Sequence, residues 1–175
     1  AYEMNILPAM VVGDLDSISP HVKSYFKEKD VVFKKFPRQK DFTDIQLTLG
    51  YAQKMGVTEI ILFGTLGKRL DHALANLFCS IESVLYGIDV CHYSPECSVH
   101  VIHRELQLIG KPGDIVSVLP LGSKATGVTE IGFEYSLKDA ELEVQNPYSV
   151  SNRLMGEQGY IKVQSGILAV FHYHL

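Results

Sequence analysis

Three times before residue 95 this chain sets a short apolar or β-branched run, then a polar loop, then an amphipathic segment; from Ser98 onward it offers only short strands. The alternation predicts an α/β unit with a mostly parallel sheet covered on both faces. Met10 to Val12 ends the first strand. Ser19 is a suitable N-cap and Pro20 a suitable first helical residue, with Val22, Tyr25 and Phe26 on one face. Val31 to Phe36 is the second strand. Thr43 and Gln46 then have the spacing of a capping box, Leu47, Tyr51, Ala52 and Met55 carry helical periodicity, and Gly56 closes the segment. Glu59 to Phe63 is the third strand, followed by a helix from about Asp71 to Tyr86 with Leu74, Leu77, Phe78, Ile81 and Leu85 as its apolar face. Ile88 to Tyr93 is a fourth strand.

The second half reads differently. Val99–His103, Leu106–Ile109, Ile115–Leu119, Leu142–Val144, Tyr160–Gln164 and Ile167–Tyr173 are strand candidates, separated by turns at 110–114 and at Ser165-Gly166. An antiparallel sandwich or partial barrel is expected there. The predicted boundary is Pro95, giving an α/β domain over 1–95 and an all-β domain over 96–175.

Composition sets limits on function. With 175 residues, 46% of them hydrophobic, a sizeable core can form. A net charge of -4 argues against bulk binding of nucleic acid, while Lys34, Lys35, Arg38 and Lys40 keep positive charge local, enough for a small anion. Cys79, Cys91 and Cys97 form no C-x-x-C pair and leave one over, which fits reduced thiols in a cytoplasm. No run approaches the roughly 18 apolar residues of a membrane-spanning helix. The start at Ala1 reads as neither signal peptide nor targeting segment, and the absence of Met suggests a missing N-terminal portion.

Polar clusters recur at one structural place: Asp14 and Asp16 after the first strand, Asp41 and Asp44 after the second, Arg69 and Asp71 after the third. At the C-terminal edge of one parallel sheet these loops would converge. Four or five carboxylates in one crevice repel unless a cation is present, and Mg²⁺ suits oxygen ligands shared with substrate phosphates. Arg69 and Lys40 could then take up remaining phosphate charge. Gly64 and Gly67 let the third loop turn and approach a ligand, and Asp71, His72 and Asn76 follow at the mouth of a helix, where free N–H groups favour anions. Taken singly, each cluster has a plainer reading: Asp14 as a turn residue, Asp44 as a complement to the helix dipole, Asp71 as an N-cap. No P-loop, nucleophile elbow or kinase signature is present.

These residues resemble the thiamin pyrophosphokinase family in its bacterial form. Gly13-Asp14-Leu15-Asp16-Ser17, Lys40-Asp41-Phe42-Thr43-Asp44 and the G-x-x-G-x-R-x-D-H-x-x-x-N run from Gly64 to Asn76 stand in that family's order. Gly113 to Ser117, Gly127-Val128-Thr129, Ser151-Asn152 and the Ser165-Gly166 hairpin resemble its β domain. The resemblance implies Mg²⁺-dependent transfer of pyrophosphate from ATP to thiamin, giving thiamin diphosphate and AMP. It implies catalytic roles for Asp14, Asp16, Asp44, Arg69 and Asp71, with Asp14, Asp16, Asp44 and Asp71 as the metal-holding set. It implies substrate contacts from Ser17, Lys40, Asp41, Thr43, Gly64, Gly67, His72 and Asn76, and a thiamin pocket at Ser151 and Asn152. It also implies a cytoplasmic homodimer whose thiamin sites are shared between subunits. The chain departs from the family by lacking a first strand–helix unit and any Trp.

Other chemistry is consistent with the motifs alone. A Mg²⁺-dependent phosphohydrolase could use Asp14 or Asp16 as nucleophile, and a silent nucleotide- or thiamin-diphosphate-binding module would keep the fold without turnover. Either Asp71 or Asp44 could accept the proton of an attacking alcohol. His100 and His103, three apart on a strand, face opposite sides; His172 and His174 share a face at what reads as an exposed strand end.

Overall fold

Strand and helix limits in the first half follow their local signals closely. In the computed structural model, which describes residues 1–36 and 42–174, β1 (Met10–Gly13) runs parallel to β2 (Val32–Lys35), with α1 (Pro20–Glu28) as the crossover. Ser19 precedes α1 in an extended conformation, but its hydroxyl meets His21 Nδ1 at 3.2 Å and makes no cap hydrogen bond. The capping box ahead of α2 (Asp44–Lys54) is reciprocal: Thr43 N–H donates to Gln46 Oε1 at 2.8 Å and Gln46 N–H to Thr43 Oγ1 at 3.3 Å. Phe26, Val31 and Leu49 are the buried apolar residues of this first unit, residues Ala1–Ala52.

The second unit, Gln53–Leu175, holds β3 (Glu59–Phe63), α3 (Leu70–Leu85) and β4 (Asp89–Tyr93), then β5 (Cys97–Ile102), β6 (Glu105–Ile109), β7 (Ile115–Pro120), β8 (Lys124–Ile131), β9 (Leu137–Glu143), β10 (Asn152–Arg153), β11 (Gln158–Lys162) and β12 (Leu168–Tyr173). Six strands form one sheet in the order β10-β7-β12-β5-β4-β3; four form a second in the order β6-β11-β8-β9.

The expected mostly parallel sheet is corrected to a mixed one. Only β3–β4 is parallel in the six-stranded sheet, and β1 and β2 pair with each other in a separate two-stranded sheet. The reason lies at Ser94 to Cys97, where Ser94 N–H donates to Cys97 C=O at 2.8 Å in a tight turn. So short a connection can only return the chain antiparallel, whereas a parallel partner needs a crossover of a dozen residues or more. β5 therefore pairs antiparallel with β4 across the turn at 94–96.

Alternation along the strands decides the layers. Val116, Val118, Leu168 and Val170 point from the large sheet toward Leu108, Ala125, Val128, Leu142 and Ile161 of the small one; all are buried in a single core. Val90, Val99, Val101 and Ala169 face the other way and pack with Leu77 and Val84 of α3. Each fully buried Val or Leu contributes about 1.5–3 kcal/mol. The apolar face read for α3 is rotated: Leu77, Ser80, Ser83 and Val84 are buried, while Leu74, Phe78 and Leu85 are more than half exposed. Two small serines let the helix approach the sheet closely, which a count of large apolar residues does not register. The eight-residue β8 has no counterpart among the expected strands, because Gly127 and two register shifts interrupt its alternation. Among the described residues, no helix is long and apolar enough to cross a membrane.

Candidate active site

Within the first unit, the turn after β1 carries Asp14 and Asp16, and the start of α2 carries Asp44. Asp14 Oδ1 accepts the N–H of Asp16 at 3.2 Å, folding Asp14-Leu15-Asp16 into a tight turn. Leu15 sits at φ 62, a left-handed backbone that a leucine rarely adopts, so the turn is held against local preference. Asp44 opens α2, and its carboxylate lies against the backbone of Gly13: a Cβ on that residue would stand 3.1 Å from Asp44 Oδ2. Glycine at 13 thus permits the close approach of Asp44, at the start of α2, to the end of β1. Asp44 lies against Gly13, the residue before Asp14; Asp16 and Asp44 are exposed. Carboxylate oxygens are the ligands a hard divalent cation such as Mg²⁺ takes, but among the described residues Asp14, Asp16 and Asp44 do not draw their ligand atoms together as Asp114, His172 and His174 do. Ser17 is exposed beside them, and Thr43 is engaged in the capping box. Lys40 and Asp41 lie outside the described residues.

Within the second unit, four side chains lock the loop between β3 and α3. Asn76 Nδ2 donates to Thr65 C=O at 3.0 Å, Ser80 Oγ donates to Asn76 C=O at 3.1 Å, and His92 bridges Ser80 Oγ (Nε2, 2.8 Å) and Thr65 Oγ1 (Nδ1, 2.8 Å). The circle closes with one proton arrangement. Because the Ser80 hydroxyl donates to Asn76, His92 carries its hydrogen on Nε2 and accepts at Nδ1 from Thr65. The Asn76 amide therefore works on the loop, holding the segment from Gly64 to Gly67. Beyond that segment, Arg69 forks onto Asp71 with Nε at 3.2 Å and NH2 at 2.5 Å, both side chains about two-thirds exposed. The hydrogen bond from Arg69 holds the Asp71 carboxyl below its ordinary range, keeping it ionised. The expected Asp71 N-cap is corrected: the N-cap position is Arg69 and the helix begins at Leu70, without a side-chain cap. Gly64 and Gly67 are exposed, as is His72.

His92 was missed in the sequence, although a histidine in the middle of an apolar strand was the available signal. It is fully buried, and burial lowers its pKa from 6.5 to about 4. Between those values the unfolded chain binds the proton and the folded one does not, so stability is complete above pH 6.5 and falls as the pH drops toward 4. Roughly 3 kcal/mol should be lost across that window. Denaturant titrations at pH 7 and pH 4 should show a smaller fall for His92→Gln than for the wild type; equal falls would remove His92 from this account.

Ser151 and Asn152 lie at the far side of the large sheet. β10 is one edge and β3 the other, five strand intervals or on the order of 24 Å apart, so the fold does not bring this pair to the 64–71 loop. Asn152 is buried and internally satisfied. Its Nδ2 donates to Tyr135 C=O at 2.8 Å and Glu130 Oε2 at 3.2 Å, and its Oδ1 accepts from Tyr135 N–H at 3.0 Å. Glu130, fully buried, also accepts from Ser149 Oγ at 2.6 Å; burial raises its pKa against the pull of these hydrogen bonds. Asn152 thereby holds the neighbouring Ser151 at φ 57 with its side chain exposed. Tyr135, Leu137, Tyr148, Ser149, Val150 and Asn152 line a small cleft there. Tyr135, Tyr148 and Glu130 were not singled out in the sequence as parts of a site.

Two family models match the chain in tandem: thiamin pyrophosphokinase, catalytic domain, over residues 1–91, and thiamin pyrophosphokinase, vitamin B1 binding domain, over residues 99–168. Thiamine pyrophosphokinase 1 of Oryza sativa is 27% identical over 94% of this chain, which spans 66% of that protein's length. The Bacillus subtilis thiamine pyrophosphokinase is 24% identical over 95% of the chain and 78% of the relative. The crystal structure of the Bacillus subtilis enzyme superposes with a TM-score of 0.87 at 22% identity, covering 99% of this chain and 82% of that one. Yeast thiamin pyrophosphokinase gives 0.72 at 17% identity, covering 98% and 72%.

Proposed function

Because the chain belongs to the thiamin pyrophosphokinase family, we propose that it transfers the pyrophosphoryl group of ATP to the hydroxyl of thiamin, forming thiamin diphosphate and AMP. The observation that carries this reading is the tandem match of both family models, the first of them spanning every carboxylate and arginine motif named above. In the reaction the thiamin oxygen bonds to the β-phosphorus, the bond from that phosphorus to the α–β bridging oxygen breaks, and the hydroxyl proton passes to a base. Such transfer asks for positioning and charge stabilisation more than covalent participation.

Asp14, Asp16, Asp44 and Asp71 are the proposed carboxylates for Mg²⁺, which when bound would neutralise phosphate charge. The approach of the Asp44 carboxylate to Gly13, the residue before Asp14, supports the first part of this set. Arg69 is the proposed phosphate ligand: its fork, now on Asp71, is the shape that grips two phosphate oxygens. Ser17, Lys40, Asp41, Thr43, Gly64, Gly67 and His72 are proposed substrate contacts, and Asn76 positions the loop. Thiamin is cationic, and the exposed rings of Tyr135 and Tyr148 beside Ser151 supply π faces for such a ring in a chain without Trp.

The separation of β3 and β10 within one unit supports a homodimer in which each thiamin site is shared between subunits. A cytoplasmic enzyme whose substrate-binding and catalytic parts divide near residue 95 completes the proposal. Incubating the protein with ATP and Mg²⁺, with and without thiamin, tests it. AMP should appear only when thiamin is present. Release of inorganic phosphate without thiamin would instead identify a phosphohydrolase.

A further inference from the structure

We propose that Asp114, His172 and His174 form a binding site for a transition-metal ion of the Zn²⁺ class, apart from the carboxylates assigned to Mg²⁺. Asp114 closes the turn between β6 and β7; His172 lies near the end of β12, and His174 follows it on the same face. Their ligand atoms all lie within 4.8 Å of one another. His172 Nε2 stands 2.7 Å from Asp114 Oδ2, with both side chains buried, and Lys111 N–H fixes the same oxygen at 2.8 Å. The two imidazoles meet edge to face at 4.6 Å between centroids.

The expected exposed strand end is corrected for His172, which is buried, while Tyr173 stays exposed and His174 is not buried. β12 continues its pairing past Tyr173, with His174 N–H donating to Glu96 C=O at 3.1 Å. His174 Nε2 is shut off from solvent and, among the described residues, has no hydrogen-bond partner. A buried acceptor or donor left unmatched is unfavourable, and a metal ion is the partner that would satisfy it while using the two donors beside it.

The donor chemistry selects the metal. Two imidazole nitrogens and one carboxylate oxygen suit Zn²⁺ and its first-row neighbours better than Mg²⁺, which keeps to oxygen. Tetrahedral Zn²⁺ with bonds of about 2.0–2.1 Å sets ligand atoms roughly 3.3 Å apart. Binding would replace the hydrogen bond between His172 and Asp114, spread that pair slightly and draw His174 in. Gly110 shapes the other side: a Cβ there would fall 2.6 Å from Asp114 Oδ2 and 2.8 Å from His172 Nε2, so the turn backbone covers the pair directly. The ion would tie the 110–114 turn to the end of β12.

Tag-free protein, stripped with a chelator and dialysed against Zn²⁺ in excess Mg²⁺, should retain one Zn²⁺ per chain by elemental analysis. His174→Ala should weaken retention by at least about 100-fold while its circular dichroism matches the wild type. Asp16→Asn should retain zinc as the wild type does. Zinc-edge X-ray absorption of the wild type should report two imidazole ligands, a readout independent of whether any variant folds. No retained zinc, unaltered retention in folded His174→Ala, or a spectrum without imidazole scattering would each overturn the proposal.

Discussion

Asp44→Asn should leave the fold intact and lower turnover by on the order of 100-fold or more. The substitution keeps size and removes one negative charge from the proposed metal-holding carboxylates, of which Asp44 lies against Gly13 at the end of β1. Two roles for Asp44 make different demands. As the first residue of α2 it complements the helix dipole, a role worth about 0.3–1 kcal/mol of stability and nothing in rate. As a metal-holding carboxylate it contributes several kcal/mol to the transition state, because phosphoryl charge is left less compensated when it is neutralised. Thermal melting and steady-state rates on the same preparation separate the two. A small drop in Tm with a near wild-type rate would leave only the dipole role. Asp16→Asn follows the same logic with no helix to complement, so its Tm should hardly move.

Mixing an Asp16→Asn subunit with a Ser151→Ala, Tyr135→Ala subunit should restore activity that neither parent has. If each thiamin site takes its carboxylates from one subunit and its aromatic cleft from the other, a heterodimer has one wholly wild-type site and one doubly damaged site. Random exchange of equal amounts makes half the dimers mixed, so activity should recover to about a quarter of the wild type. Ser151 and Tyr135 are chosen because their side chains are exposed. Asn152 is avoided because its loss would leave Glu130 and the Tyr135 backbone unpaired, destabilising the β unit by about 1–3 kcal/mol. A mixture proven to have exchanged subunits, yet as inactive as its parents, places thiamin within one chain.

What the sequence determined by itself is local. Pro20 after Ser19, the Thr43–Gln46 box, the turn at 110–114 and the alternation in β7 and β12 each depend on residues within a few positions, so reading along the chain finds them. The motif residues Asp14, Asp16, Asp44, Arg69 and Asp71 were legible for the same reason, as carboxylates and a guanidinium set just beyond strand ends. What only the tertiary structure decided depends on partners remote in sequence. The antiparallel return at Ser94 to Cys97 turned an expected parallel sheet into a mixed one by joining β4 to β5. His92 acquires its role from Thr65, 27 residues away, and Asp114 from His172, 58 away. Glu130 looks like an ordinary surface charge in an interrupted strand until Ser149 and Asn152 close over it. A buried polar side chain is stable only when every partner arrives, and nothing in its own neighbourhood of the sequence records which partners those will be.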